Sequence, residues 1–261
     1  MPEIEIPLEG GNINAEVMRI GDTVRRAISP SSPTIHKLLL HLEVKGFADG
    51  PRFLGVDEKG REVLSFIEGA TDFPPDIWTK DAALIATAKM LRKFHDATQD
   101  FVTDNAIWTK EYHDAAQFEV ICHNDFAPYN FIFANGVPKA VIDFDLVGPG
   151  PRLRDVAYAA YWMVPLSFNA GDMSPFAIAD MGVGSRRLKL FCDIYGVPAD
   201  AALLNMVHEV LVHMSDEQMM LDSVGAEVTA KLKADGHLDH WQREAVAFAD
   251  NRTKLMTNCE L

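Results

Sequence analysis

The sequence has few cysteines and no long apolar run. Its three cysteines, Cys122, Cys192 and Cys259, lie far apart in no CxxC pattern, as is typical of reduced thiols in a cytosolic protein. The longest uncharged apolar stretch, residues 156–168, is too short to span a bilayer and contains Pro165. The first residues lack the basic and apolar segments of a signal peptide. We therefore expect a cytoplasmic protein with no membrane partner.

Basic residues are also scarce. The 24 Lys and Arg residues are outnumbered by 38 Asp and Glu residues, which gives a net charge of −14 at pH 7. A nucleic-acid backbone or an anionic membrane would be repelled, so we expect no nucleic-acid partner. The charge suits a cationic partner, although many cytosolic proteins are acidic without one. With 261 residues and 48% hydrophobic content, the chain is globular and long enough for two lobes.

The hydrophobic pattern changes along the chain. A weak alternation about Gly21-Asp22 predicts a hairpin, and apolar residues at helical spacing predict a helix over 34–46. Strands are predicted at 52–57 and 62–68. Helical patterns follow at 79–98, 153–164, 185–195, 200–222 and 238–256. This order predicts an α+β chain of two lobes, residues 1–68 and residues 69–261.

The stretch ICHNDFAPYNFIFANGVPKAVIDFD, residues 121–145, places polar side chains between two strand-like runs. Asn135-Gly136 predicts a tight hairpin, which would bring Asn130 and Asp143 close enough to face one ion. Amide and carboxylate oxygens are hard ligands suited to Mg²⁺. Asp125 could accept the proton of a hydroxyl nucleophile.

The spacing of these residues resembles the catalytic loop of protein-kinase-like phosphotransferases. His123, Asp125 and Asn130 fit H-x-D-x-x-x-x-N, and Asp143 follows on the next strand. The segments IDFD and RDVAY are similar to those of the aminoglycoside phosphotransferase and choline kinase branch, where the acid corresponding to Asp155 is a structural anchor. The resemblance covers about residues 8–160. A narrower similarity is to proteins labelled trifolitoxin-immunity-like.

The resemblance implies a two-lobed protein-kinase-like fold, with a small β-rich N-terminal lobe and a larger, mainly helical C-terminal lobe. It implies Asp125 as the catalytic residue and Asn130 and Asp143 as Mg²⁺ ligands, with ATP or GTP as cofactor. The segment EVLSFIEG resembles the hinge strand, where the backbone of Ser65, Phe66 and Ile67 would hold the purine.

Two features depart from the pattern. The segment EGGN at residues 9–12 lacks G-x-G-x-x-G. Arg25 occupies the register of the usual phosphate-binding Lys, with Arg26 one position off, and Arg is not equivalent to Lys. The helix over 34–46 has no Glu in its first turns, and His36 is its nearest polar candidate. The Lys–Glu pair is therefore absent or replaced, which bears on nucleotide affinity and turnover.

The pattern favours a phosphotransferase that moves a γ-phosphate to a hydroxyl of an aminoglycoside, amino-sugar or amino-alcohol. Acids outnumber basic residues after residue 171, which is compatible with a cationic acceptor. One alternative is a non-catalytic kinase-fold binding or immunity protein; another is a metal-dependent hydrolase. Asp145 could be a second metal ligand or a turn cap, and His123 is interpreted as a residue that braces the loop by hydrogen bonding instead of transferring protons.

Overall fold

A computed structural model describes residues 4–8, 17–102, 104–168, 178 and 180–257. A small antiparallel sheet comes first and a mostly helical part follows, which confirms the predicted two-lobed α+β architecture. The segment EGGN at 9–12 lies outside the described residues. No helix in the described part of the chain has both the length and the apolar character needed to cross a membrane.

The N-terminal sheet has five strands in the order β1-β2-β3-β5-β4, all paired antiparallel. Gly21, with φ of 58°, makes the predicted turn between the second and third strands. In the pairing of the third and fifth strands, Arg26 lies opposite Glu62. The strands are β1 (Ile6–Pro7), β2 (Met18–Ile20), β3 (Thr23–Arg26), β4 (Phe53–Val56) and β5 (Glu62–Ser65).

Helix α1 (Ser32–Val44) packs between this sheet and the helical part. It begins two residues before the predicted start because Pro33 is well suited to the first turn of a helix. The apolar stripe predicted from the sequence is buried, as helical periodicity requires. Its members are Ile35, Leu38, Leu39 and Leu42.

The segment from Val120 to Gly150 folds into two small antiparallel pairs, β6 with β9 and β7 with β8. Asn135 and Gly136 have φ of 53° and 76°, the positive values that a two-residue hairpin turn requires, so the predicted hairpin is present. Ala70 pairs with Phe133 and so connects the N-terminal sheet to this hairpin. The domain boundary near residue 69 stays a prediction. The strands are β6 (Val120–Cys122), β7 (Phe131–Ala134), β8 (Val137–Val141) and β9 (Gly148–Gly150).

The helical part differs from the sequence prediction at two places. The helix predicted over 200–222 is two helices, because Asp216 has an extended backbone and its side chain accepts a hydrogen bond from the N–H of Met219. A further helix after Gly225 was not predicted. The helices are α2 (Asp81–Thr98), α3 (Arg152–Met163), α4 (Met181–Tyr195), α5 (Ala201–Ser215), α6 (Glu217–Val224), α7 (Ala226–Ala234) and α8 (His237–Thr257).

Candidate active site

The loop that follows β6 is held by one buried carboxylate. Asp155, in the first turn of α3, accepts hydrogen bonds from the backbone N–H of His123 at 2.5 Å and of Asn124 at 2.8 Å. Asn124 has φ of 65°, a conformation that Asn tolerates better than most residues. The side chain of Asn124 is fixed in turn by Arg154 and the carbonyl of Leu146. This geometry supports the anchoring role that the resemblance implied for Asp155.

Asp155 belongs to a buried network below the loop. His95 lies 3.1 Å from Asp155 through Nε2 and 2.6 Å from the hydroxyl of Tyr195 through Nδ1. Burial acts to raise the pKa of Asp155, but the hydrogen bonds and positive charge around it prevail and hold that pKa below its ordinary value. The carboxylate therefore stays ionised and keeps accepting both amide hydrogens.

The same network contains a group of potential metal ligands, His95, Cys122 and Asp155, all buried. Its atoms are engaged elsewhere: Cys122 donates to the carbonyl of Pro151 at 3.3 Å, and Asp155 uses both oxygens on the loop. Burial raises the pKa of Cys122 well above its ordinary value, so a thiolate ligand is disfavoured. We interpret this cluster as structural support for the loop.

His123 points into the core instead of the cleft. Its ring is fully buried and packs edge-on against the rings of Phe94, Phe126 and Phe144. Burial lowers the pKa of His123 and favours the neutral form. The sequence predicted that His123 braces the loop by hydrogen bonding, but among the described residues neither ring nitrogen has a hydrogen-bond partner. The ring supports the loop by packing instead.

Asp125 lies in the cleft with both carboxylate oxygens oriented by neighbours. Oδ1 accepts a hydrogen bond from the hydroxyl of Tyr129, and Oδ2 accepts one from Nδ2 of Asn130 at 2.8 Å. Tyr129 is bonded in turn to the hydroxyl of Tyr158 at 2.6 Å. A carboxylate offers about four lone-pair sites, so these two donors leave room for a substrate hydroxyl. Asp125 is thus positioned and still able to accept a proton.

Asn130 and Asp143 come together through the backbone. The N–H of Ile142 donates to the carbonyl of Asn130 at 2.8 Å, which places Asp143 one residue from that contact. Asp143 has φ of 64° and a side chain that is 43% exposed in the cleft. Desolvation in the cleft, followed by the negative charges of Asp145 and Asp125, raises the pKa of Asp143 to about 6, although Arg26 opposes the shift.

Arg26 is the cation that reaches these acids. Its guanidinium lies 2.7 Å from Asp145 and 3.8 Å from Asp143, and its Nε donates to Glu62. Burial acts to lower the pKa of Arg26, yet the three carboxylates together hold it above its ordinary value, so the charge is retained. Glu62, at 1% exposure, also lies 2.5 Å from Nε2 of His36.

The sequence predicted that the usual Lys–Glu pair is absent or replaced. In the structure, Arg26, Glu62 and His36 form a connected chain in this part of the cleft. The carboxylate comes from β5 instead of α1, and α1 contributes His36. The ring of His36 stacks on Phe53 at 3.8 Å, which fixes its orientation. The sequence pattern gave no indication of Glu62, because its partners are 26 and 36 residues away.

Arg25, the residue predicted to contact phosphates, lies away from these acids. Its Nε is 3.5 Å from Asp57, in the turn after β4. Successive side chains on a strand point to opposite faces, so only one of Arg25 and Arg26 can enter the cleft. The structure brings Arg26 to Asp143, and the prediction for Arg25 gains no support from its position.

The predicted purine-binding residues follow β5. The N–H of Ser65 donates to the carbonyl of Arg52 at 2.9 Å, and the N–H of Phe66 donates to the carbonyl of Asp22 at 2.8 Å. Within the described part of the chain, no hydrogen bond involves the backbone of Ile67. Of the three residues, Ile67 therefore has backbone groups available for a base.

Sequence comparison connects this fold and site to a known family. The family described as "Phosphotransferase enzyme family" (APH) matches residues 70–175, which contain the loop with Asp125 and Asn130 and helix α3. The chain belongs to this phosphotransferase family. The chain is also 33% identical over 198 residues to the trifolitoxin immunity protein of Rhizobium leguminosarum bv. trifolii, with 74% of each protein covered.

Solved structures share the fold. Aminoglycoside phosphotransferase APH(3'')-Id from Streptomyces rimosus, solved with ADP and streptomycin, gives a TM-score of 0.52 at 15% identity and covers 85% of this chain and 92% of its own. Spectinomycin phosphotransferase APH(9)-Ia, solved with ADP and spectinomycin, gives a TM-score of 0.58 at 13% identity, with 94% and 92% covered. Identities this low carry the fold alone.

Proposed function

We propose that this protein transfers the γ-phosphate of ATP or GTP to a hydroxyl group of a small molecule in the presence of Mg²⁺. The observation that carries the proposal is the convergence of Asp125, Asn130 and Asp143 in one cleft, with Arg26 facing the last of them. Phosphoryl transfer needs positioning and charge neutralisation more than covalent chemistry, and these groups supply both.

The donor set fits Mg²⁺. Asn130 donates a hydrogen bond from its amide nitrogen to Asp125, so its amide oxygen remains available as a ligand. Asp143 lies near two further acids, Asp145 and Asp125, and a dication would offset their combined negative charge. Asn130 and Asp143 would hold the ion, which would neutralise charge on the phosphates. Asp145 is a candidate for a second ion, although it also pairs with Arg26.

The remaining groups take roles around the nucleotide and the acceptor. Asp125 would orient the acceptor hydroxyl and accept its proton. Arg26 would steady the phosphates, with Arg25 as the alternative from the sequence. The backbone of Ser65, Phe66 and Ile67 would hold the purine. These assignments place the nucleotide between β5 and the β7–β8 hairpin.

The names of the relatives suggest two candidate functions. Structural neighbours were solved with streptomycin, gentamicin and spectinomycin, which favours an aminoglycoside, amino-sugar or amino-alcohol acceptor in the cytoplasm. The immunity-protein relative favours a second candidate function, a kinase-fold protein that binds its ligand without phosphorylating it. Nucleotide binding that requires Mg²⁺ separates the two.

The first experiment is calorimetric titration of Mg·ATP and Mg·GTP into the wild-type chain and Asp143→Ala. We expect Mg-dependent binding of one nucleotide by the wild type and its loss in the variant, because Asp143 supplies the only carboxylate we assign to the first ion. If neither nucleotide binds at millimolar concentration, the proposed phosphotransferase function is wrong. The second candidate function, a binding protein without phosphate transfer, would then remain. A circular dichroism melt of Asp143→Ala controls for folding.

A paired test separates Arg26 from Arg25. We expect Arg26→Gln to weaken Mg·ATP binding about tenfold or more, because charge-assisted hydrogen bonds to phosphate are worth roughly 1.5–3 kcal/mol. Arg25→Gln, one residue away on the opposite face, should stay within about twofold of the wild type. If Arg25→Gln weakened Mg·ATP binding more than Arg26→Gln did, Arg25 would be the residue that contacts the phosphates.

A further inference from the structure

Asp143 and Asp145, the two aspartates that follow β8, differ in their contact with Arg26. Nη2 of Arg26 lies 2.7 Å from Oδ1 of Asp145, so these two side chains form a close ion pair. Nη1 of Arg26 lies 3.8 Å from Oδ1 of Asp143, which is beyond hydrogen-bond distance. Asp145 therefore already has a cationic partner in direct contact, whereas Asp143 has this cation only nearby.

The guanidinium of Arg26 is fixed from the side of the N-terminal sheet. Its Nε donates to Oε1 of Glu62, a side chain that is 1% exposed. The other oxygen of Glu62 lies 2.5 Å from Nε2 of His36, and the His36 ring is stacked on Phe53 with the ring centroids 3.8 Å apart. Movement of Arg26 away from the cleft would take a charged partner from a buried carboxylate, which is costly. The guanidinium is therefore a fixed part of the cleft.

This guanidinium lies where a second metal ion at Asp145 would be expected. An ion shared by Asp143 and Asp145 would lie between their carboxylates, and Arg26 approaches both of them. A dication placed there would be repelled by the guanidinium at short distance. Burial acts to lower the pKa of Arg26, but Asp145, Glu62 and Asp143 together hold it above its ordinary value, so the positive charge persists.

The ion assigned to Asn130 and Asp143 is not excluded by the same contact. Asn130 donates through its amide nitrogen to Asp125 at 2.8 Å, which leaves the amide oxygen as a ligand. Asp143 is not hydrogen-bonded by Arg26, and 43% of its side chain is exposed. Mg²⁺ is commonly held by one or two protein oxygens together with water and phosphate, so these two residues suffice for one ion.

We propose that the guanidinium of Arg26 takes the place of a second metal ion at Asp145, so that the cleft binds one Mg²⁺ together with the nucleotide. The inference rests on the Mg²⁺-dependent transfer proposed above and specifies the metal content of its site. Arg26 neutralises Asp145 and still has donors for phosphate oxygens, because a guanidinium carries five N–H groups. Asp145 then orients Arg26 and is not a metal ligand.

The test counts bound ions. Mn²⁺, which prefers the same octahedral oxygen coordination as Mg²⁺, is measured per chain by equilibrium dialysis with electron paramagnetic resonance detection. The dialysis is run with a saturating non-hydrolysable analogue of ATP or GTP and again without nucleotide, and the chain-free compartment corrects for ions held by free nucleotide.

Five variants are compared with the wild type. They are Arg26→Met, Arg26→Lys, Asp145→Asn, the double variant that combines Arg26→Met with Asp145→Asn, and Arg52→Met. Arg52, whose side chain is 61% exposed in the segment before β4, is the charge-matched control.

With the analogue, we expect about one Mn²⁺ per chain in the wild type, Arg26→Lys and Arg52→Met, and about two in Arg26→Met, because Asp145 then lacks its cation. The double variant should return to about one, which places the additional ion at Asp145. Asp145→Asn by itself should keep about one. Without nucleotide, Arg26→Met should bind Mn²⁺ about fivefold or more tightly than the wild type, because a like charge is gone.

Two Mn²⁺ per wild-type chain, or a lower count in Asp145→Asn than in the wild type, would overturn the proposal, and so would an Arg26→Met count equal to that of the wild type. If neither analogue binds, the phosphotransferase function is wrong, and the dialysis without nucleotide decides the proposal by itself: equal Mn²⁺ affinity of wild type and Arg26→Met contradicts it. Circular dichroism melts check the folding of each variant. If Arg26→Met does not fold, the counts for the wild type and Asp145→Asn remain decisive.

Discussion

Replacing Asp125 with Asn should reduce phosphate transfer by about a thousandfold while nucleotide affinity stays within about threefold. The reason is that Asn keeps the size of the side chain but removes the group that accepts the proton. Asn130 and Tyr129 donate to Asp125, so the carboxylate is oriented before the acceptor arrives. The measurement is Mg·ATP-dependent phosphorylation of the best acceptor found among aminoglycosides, amino-sugars and amino-alcohols, together with calorimetric ATP affinity.

The control for this result is Tyr129→Phe, which removes one donor to Asp125 and leaves the carboxylate in place. We expect a much smaller loss of turnover, because the hydrogen bond from Asn130 remains. If Asp125→Asn retained more than about a tenth of the wild-type rate, Asp125 would not be the base, since general-base contributions are typically 10² to 10⁴. The assignment would then have to move to another group in the cleft.

Replacing Asp155 with Ala should lower the free energy of unfolding by roughly 3–5 kcal/mol, the cost of removing one member of a buried charged network. Two loop amides and the ring of His95 would lose their acceptor in a fully buried place. In a chain of this size the melting temperature should fall by on the order of 10 °C. Thermal and urea unfolding at pH 7 measure both quantities.

The same carboxylate makes stability depend on pH in a defined direction. Its pKa in the folded protein lies below the ordinary value of about 3.9, so the folded state favours the ionised form. The resulting stabilisation is fully present above the unfolded pKa and is lost as pH falls through the folded pKa. The stability difference between wild type and Asp155→Ala should therefore be constant from pH 5 to 7 and shrink below about pH 4.

Asp72→Asn, an exposed acid in the segment before α2, is the matched control for Asp155→Ala. It should change the melting temperature by little, because exposed substitutions are usually within about 0.5 kcal/mol. A similar small effect of Asp155→Ala would show that the loop does not depend on this anchor.

Much of the candidate site could be predicted because its signals are local. Asn135-Gly136 specifies a tight turn through its own backbone preferences, and the hairpin fixes where Asn130 and Asp143 come together. The buried stripe of α1 follows from helical periodicity in the same way. The two-lobed fold and the family were recognised from such short patterns, and both are confirmed.

The features that could not be predicted depend on contacts between distant segments. Side chains on a strand alternate between its two faces, so the sequence Arg25-Arg26 does not show which arginine faces the cleft. The pairing of β3 with β5 and the position of Asp145 show that it is Arg26. The helix break at Asp216 was missed because a capping side chain competes with helix continuation over only a few residues.

By itself, the sequence determined the two-lobed α+β architecture, the tight turn of the β7–β8 hairpin and the identity of the acids around it. The tertiary structure alone decided which arginine reaches Asp143 and Asp145, and that Glu62 and His36 lie behind that arginine. The physical reason is the distance along the chain over which each interaction acts. Turns and periodicity act over a few residues, whereas the charge environment of a cleft is set by side chains that only packing brings together.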